Sequence, residues 1–188
     1  MKKLRVFVAV LLPDDARQQV VEWQQAHPEL KVRWKNAKSL HTTVVIPWYA
    51  SHREIDAAKV ALESVARTTQ PFFIEIQSVR WGPPSTRKTP HLIWADGVTP
   101  REFKELKKRA VKALHADAHT GFHERDKFPT IAHVTVANFV PRPRKSLPPL
   151  KSRVHWRFEV MSFQLIESIR TRGGREYRVI ASFDFASS

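Results

Sequence analysis

Leu40-His41-Thr42-Thr43-Val44-Val45-Ile46 and Ala132-His133-Val134-Thr135-Val136-Ala137 decide how the rest of this chain is read. Both are short, rich in β-branched residues and bounded by prolines (Pro47; Pro129 and Pro141), so each reads as a strand. Side chains at i and i+2 of a strand share a face. His41 and Thr43 therefore point one way, while Leu40, Thr42, Val44 and Ile46 point the other. His133 and Thr135 share a face in the same manner. Each stretch presents an imidazole beside a hydroxyl on a rigid element.

A lone strand histidine is most often a packed or surface residue, and a strand threonine needs no reason beyond β-propensity. The coincidence is what carries weight. His-x-Thr occurs twice, once in each half of the chain, 92 positions apart (133 minus 41), both times in a strand-like run. The other histidines lie in helical, turn-like or highly charged surroundings. If the two strands are neighbours, both imidazoles come within one phosphate group's reach, roughly 5–7 Å apart with a hydrogen bond on either side. Neutral and protonated imidazoles exchange protons near neutral pH, and threonine hydroxyls can donate to non-bridging oxygens as charge builds there. The set suits acid–base chemistry on a phosphodiester and calls for no nucleophilic side chain, metal or cofactor.

A length of 188 residues suits one domain, or two small lobes sharing a core. Thirty-two Lys and Arg against eighteen Asp and Glu give a net charge of +14, and the pI is near 10.5. Such a field gathers polyanions, which makes nucleic acid the leading partner class over a merely soluble basic surface. No apolar run approaches a membrane span, and the run at 6–12 is broken by Pro13-Asp14-Asp15. The absence of cysteine excludes disulfides and thiolate metal sites and fits a cytoplasmic protein. A monomer is expected.

Along the chain, 4–12 reads as a buried strand and 13–26 as a helix with Ala16, Val20 and Trp23 on one face. Residues 31–34 read as a short strand. Ser51-His52-Arg53-Glu54 is a capping box opening a helix to about 67, and Thr99-Pro100-Arg101-Glu102 is a second one. Strands are expected at 71–79, 91–95, 154–160, 161–168 and 176–185, with a basic hairpin turn over 170–175. Residues 81–90 and 141–149 read as loops. Strands interleaved with three helices, and hairpins among them, favour a mixed α+β fold over a doubly wound parallel sheet. With five glycines and no glycine-rich phosphate loop, dinucleotide and nucleoside triphosphate folds are disfavoured.

The chain resembles the RNA 2′,3′-cyclic phosphodiesterases, or LigT-like 2′-5′ RNA ligases, of the two-histidine phosphoesterase superfamily. The resemblance runs over nearly the whole length. It rests on Arg5-Val6-Phe7-Val8-Ala9-Val10 with Leu12-Pro13-Asp14, Val32-Arg33-Trp34, the two His-x-Thr strands, His91-Leu92-Ile93-Trp94-Ala95, Leu165-Ile166-Glu167-Ser168, and Arg172-Gly173-Gly174-Arg175-Glu176-Tyr177. It implies a bilobal α+β fold of antiparallel-rich sheets with helices packed outside, pseudo-twofold about a central cleft. It also implies metal-independent hydrolysis of RNA terminal 2′,3′-cyclic phosphate to 2′-phosphate, together with reversible 2′-5′ RNA ligation. His133 would be the base, His41 the acid, and Thr43 and Thr135 the phosphate binders.

The chain departs from the family pattern in the spacing of 126–132, in the first motif at Thr42, Val44 and Pro47-Trp48-Tyr49, and at two positions beside the second motif. Ala132 replaces the usual proline before the second histidine, and Asn138 replaces the usual arginine three residues after its threonine. Lys127, Arg125 or the 170–175 turn are the candidates to supply the missing cation. That turn and residues 141–151 are expected to ring the cleft and hold the RNA backbone. Trp34, Trp48, Tyr49 and Trp81 are candidates to stack a terminal base. The competing readings are a non-catalytic basic RNA-binding protein and a metal site built from His115, His119, His123 and His133. The second is disfavoured by its ligand spacing and the lack of cysteine.

Overall fold

Val6, Val8 and Val10 are buried on one face of the first strand and Phe7 and Ala9 on the other, so this strand belongs inside a sheet rather than at its edge. The computed structural model describes residues 2–84, 89–123, 130–172 and 174–186. Its elements run β1 (Leu4–Leu11), α1 (Asp14–Gln25), β2 (Arg33–Trp34), β3 (His41–Ala50), α2 (His52–Ala66), β4 (Phe72–Gly82), β5 (Leu92–Asp96), α3 (Arg101–Ala116), β6 (His133–Asn138), β7 (Lys151–Val160), β8 (Ser162–Thr171) and β9 (Gly174–Asp184). The strand order is β7-β4-β5-β6-β3-β1-β8-β9, with β2 on β6, and each pairing is antiparallel. The mixed α+β expectation holds. Four strands stand on either side of the β6–β3 junction, and that junction rests on one residue pair, Thr42 with Val134.

The helices cover the apolar sides. Ala16, Val20 and Trp23 of α1 are buried, and the Trp23 indole N–H donates to Ser152 Oγ of β7 at 3.0 Å. Helices α2 and α3 pack together, with Ile55, Ala58 and Leu62 on one and Phe103, Leu106 and Ala110 on the other inside the main core. Ser51 and Glu54 form the reciprocal cap anticipated for α2, each side chain accepting from the other's backbone N–H. Among the described residues, no helix is long and apolar enough to cross a membrane.

Three local expectations need correction. Strand β3 does not stop at Pro47 but runs on to Ala50. Its pairing with β1 shifts register between Val6↔Trp48 and Val8↔Val45, and an irregularity there tolerates a residue with no N–H to offer. Strand β4 likewise extends through Trp81 and Gly82, which pair with Ile93 and Leu92. The second capping box does not form: α3 has Pro100 at its N-cap, and the Thr99 hydroxyl accepts instead from the backbone N–H of Ala132 at 3.0 Å. A proline at 132 could not make that bond, which ties the entry of β6 to the start of α3.

Leu106 is fully buried in the core. Leu106→Ala is expected to cost on the order of 2–5 kcal/mol of unfolding free energy, whereas Val60→Ala on the exposed side of α2 should cost well under about 1 kcal/mol. Denaturant titration of the two variants checks this; similar losses would mean that the α2–α3 layer is not the core.

Candidate active site

Antiparallel pairing of Thr42 with Val134 sets the geometry of the site. Both of these residues are fully buried and point into the core. Their neighbours point the other way, so His41 lies across from Thr135 and Thr43 across from His133, all on one face. The two imidazoles are diagonal neighbours, close enough that the charge of His133 is felt at His41.

Both rings are oriented by the same local bond. His41 Nδ1 lies 2.7 Å from the Ser39 carbonyl and His133 Nδ1 lies 3.0 Å from the Ile131 carbonyl, each two residues upstream. A carbonyl only accepts, so Nδ1 carries the proton and Nε2 of the neutral ring is left with its lone pair. Each ring therefore offers Nε2 for proton transfer.

The surroundings differ, and so does proton affinity. His41 sits between the Phe7 and Tyr177 rings, each with its centroid 5.1 Å away. Burial pushes its imidazole down to about 4; the Ser39 bond works against this, while Lys35 and His133 add to it. His133 lies flat on Trp94, centroids 3.8 Å apart at 21°, and is cross-strand from Asp96. Burial lowers it too, but the Ile131 bond and the Asp96 carboxylate favour its proton. Asp96 is buried and held by Ser78 Oγ at 3.1 Å and by the Arg80 guanidinium. Both imidazoles are lowered, His41 the more strongly of the two.

Comparison with known proteins places this geometry in a family. The family model described as the 2′-5′ RNA ligase superfamily matches residues 12–172. The chain belongs to the 2′-5′ RNA ligase superfamily. The solved structure of TT0787 from Thermus thermophilus is similar with a TM-score of 0.81 at 22% identity, over 97% of this chain and 98% of that one. LigT from E. coli is similar with a TM-score of 0.77 at 19% identity, over the whole of both chains. Its complex with 3′-AMP gives 0.79 at 19% identity, over 99% of this chain and all of that one. No curated protein sequence matches the chain.

Two cavities adjoin His41 and His133. One, of about 820 Å³, is mostly apolar and lies on the His133 side, lined by Thr43, His133, Trp94, Ile46, Leu92 and Phe103 among others. The other, of about 770 Å³, is lined by Ser39 and Tyr177, which contact His41, and by Arg33, Lys35, Lys38, Asn138, Arg170 and Arg175. Asn138, where the family pattern has arginine, pairs across β2–β6 with Arg33. Guanidiniums from β2 and the β8–β9 hairpin thus stand around position 138. Lys127 and Arg125 lie outside the described residues. Segment 141–150 is tied down by Arg142 N–H to the Pro90 carbonyl and by the Trp81 indole to the Pro148 carbonyl, and is not part of either lining.

Of the aromatic candidates, Trp48 is 6% exposed and packs on Phe122, so it is core; bulk alone hid its direction. Trp81 packs on Phe139 and Trp34 on Trp23, with Trp34 also at the wall of the basic cavity, while Tyr49 is 61% exposed. The residues that surround the histidines and were not singled out are Phe7, Lys35, Arg80, Trp94, Asp96 and Tyr177. Gly82 makes Trp94's position possible, since a Cβ there would lie 2.7 Å from the indole. His115 packs on Phe122, and among the described residues no three His, Asp or Glu side chains gather as metal ligands.

His41 also leaves a mark on stability. The unfolded ring titrates near 6.5 and the folded one near 4, so the unfolded state binds more protons between these values. Stability should be full above pH 6.5 and decline as pH falls toward 4. The decline, read from denaturation midpoints, should be smaller in His41→Asn; an unchanged decline would show that His41 is not the desolvated group.

Proposed function

We propose that the protein hydrolyses the 2′,3′-cyclic phosphate at an RNA end to a 2′-phosphate, with the two histidines as acid and base. The observation that carries this reading is the pair of imidazoles on one sheet face, each clamped at Nδ1 and flanked across the strand by a threonine hydroxyl. Membership in the superfamily supports phosphoesterase chemistry, and the E. coli LigT complexes with 3′-AMP, ATP and NADP+ support a nucleotide ligand.

In the proposed step, water attacks phosphorus and gives its proton to the bare imidazole. The P–O3′ bond breaks, and the protonated imidazole delivers its proton to O3′, leaving a 2′-phosphate and a free 3′-hydroxyl. Thr43 and Thr135 donate to the non-bridging oxygens, where negative charge rises in the transition state. The deeper desolvation of His41, with the Asp96 carboxylate beside His133, favours His41 as base and His133 as acid, the reverse of the order that the family resemblance implies. With a 5′-hydroxyl in place of water the same displacement forms a 2′-5′ linkage, and cleavage of that linkage back to the cyclic phosphate exchanges the two roles. Water, two imidazoles and two hydroxyls complete the step in a monomer, and a cytoplasmic RNA is the substrate on this reading. A purely RNA-binding role would draw on the +14 charge alone and has no use for matched imidazoles.

The test is an oligonucleotide ending in a 2′,3′-cyclic phosphate, with the product phosphate mapped. Turnover is expected to persist in excess chelator and to give a bell-shaped profile of kcat/KM against pH. His41→Ala and His133→Ala should each lose on the order of 10²–10⁴ in rate, with the double variant little worse than the worse single one. RNA binding should survive in both. An activated aryl phosphodiester, whose leaving group needs no proton, should rescue His133→Ala and not His41→Ala; the converse would restore the opposite order. Absence of hydrolysis by the wild type, or full activity in either variant, would leave the RNA-binding reading.

A further inference from the structure

We infer that the basic cavity on the His41 side is a second phosphate subsite, holding the phosphate that joins the terminal nucleotide to the rest of the RNA. The inference rests on the reading of His41 and His133 as the catalytic pair. It predicts a preference for cyclic-phosphate ends whose terminal nucleoside carries a 5′-phosphate.

Charge balance is the first argument. Arg33, Lys35, Lys38, Arg170 and Arg175 line the cavity against a single carboxylate, Glu176. Lys35 is half-buried, and its ammonium is pushed down by burial and then by the Arg33 and Arg175 guanidiniums. Two further contacts concentrate the charge: Arg5 and Arg175 both donate to the one Ser168 hydroxyl, at 3.0 and 3.2 Å. Cations held this close repel one another, and an anion among them converts that repulsion into attraction.

Construction is the second argument. Arg33 and Lys35 come with β2, which hangs on β6, whereas Arg175 comes from the β8–β9 hairpin at the other end of the sheet. The hairpin backbone approaches closely, so that a Cβ on Gly174 would stand 3.1 Å from Arg33 Nη1. Glycine also permits the φ of 136° found there. Elements remote in sequence thus converge to enclose the cations, where a merely solvated surface would spread them. Guanidinium forks and ammonium groups together match a phosphate's several oxygens.

Position is the third. Ser39 clamps His41 through its carbonyl and lines the cavity, and Tyr177 packs on the His41 ring and lines it too. A chain whose reacting phosphate lies between the histidines reaches this cavity on the His41 side. The opposite cavity is mostly apolar and suits a base or sugar instead.

The experiment compares two minimal substrates, a nucleoside 2′,3′-cyclic phosphate with a 5′-hydroxyl and the same nucleoside with a 5′-phosphate. The wild type is expected to favour the phosphorylated one by about tenfold or more in kcat/KM, the scale of one charge-assisted hydrogen bond. Arg175→Ala with Lys38→Ala should reduce that ratio to near one, and Lys38→Glu alone, at an exposed position, should also lower it severalfold. Lys59→Ala, whose ammonium pairs with Asp56 on α2, should leave the ratio where it was. Equal turnover of both substrates by the wild type, or a preference that survives the cavity variants, overturns the subsite while leaving the histidine pair intact. Failure to turn over either substrate, or a cyclic-phosphate oligonucleotide, instead removes the catalytic reading beneath it.

Discussion

One backbone pairing, Thr42 with Val134, holds the working parts of this molecule in relation to each other. It lies where β6 meets β3 in the nine-stranded sheet, and every residue proposed for the reaction flanks it by a single position. The bond's own contribution is modest, since a backbone hydrogen bond is worth about 1 kcal/mol net. What secures it is the apolar layer beneath: Val44, Val134 and Val136 of the two strands are buried in the same core as the faces of α2 and α3. Packing fixes the register, and strand alternation then fixes the site, because a slip of one residue would turn the slipped strand's histidine into the core.

On the open face, burial lowers both imidazoles, while the neighbouring charges deepen that at His41 and oppose it at His133. Aromatic edges around His41 remove water without supplying a negative charge. Around His133 the loss of water is partly offset by a carboxylate that is itself neutralised by Arg80 and Ser78. A pair of chemically identical groups is thereby made unequal, which general acid–base catalysis requires at a single pH. The +14 charge acts at longer range, as a field that attracts polyanions of any kind.

Much of this was legible in the sequence because it is encoded over short spans. The period-two pattern in 40–46 and 132–137 identified the strands, the face and the four side chains, and Ser51 with Glu54 marked the start of α2. Features set by long-range register were not legible. Asp96 and Trp94 reach His133 from β5, Arg80 reaches Asp96 from β4, and Tyr177 reaches His41 from β9. Nothing local in those strands says which residue will lie beside a histidine. Thr99 illustrates the same limit: its spacing to Glu102 fits a cap, but a donor 33 positions away claims its hydroxyl. Trp48 was legible as an aromatic but not as a buried one, since its direction follows from the β1–β3 irregularity near Pro47.

The clamp on each histidine comes from its own chain, two residues upstream. Orientation, tautomer and backbone support are therefore contained in a few consecutive residues, and neither half borrows them from the other. Such a span is a transferable unit: a strand carrying it brings a correctly posed proton carrier to whatever sheet receives it. The walls around it, apolar on one side and cationic on the other, can then diverge without disturbing the pose. Conservation of chemistry and drift of ligand preference become separable within one protein, because different lengths of chain encode them.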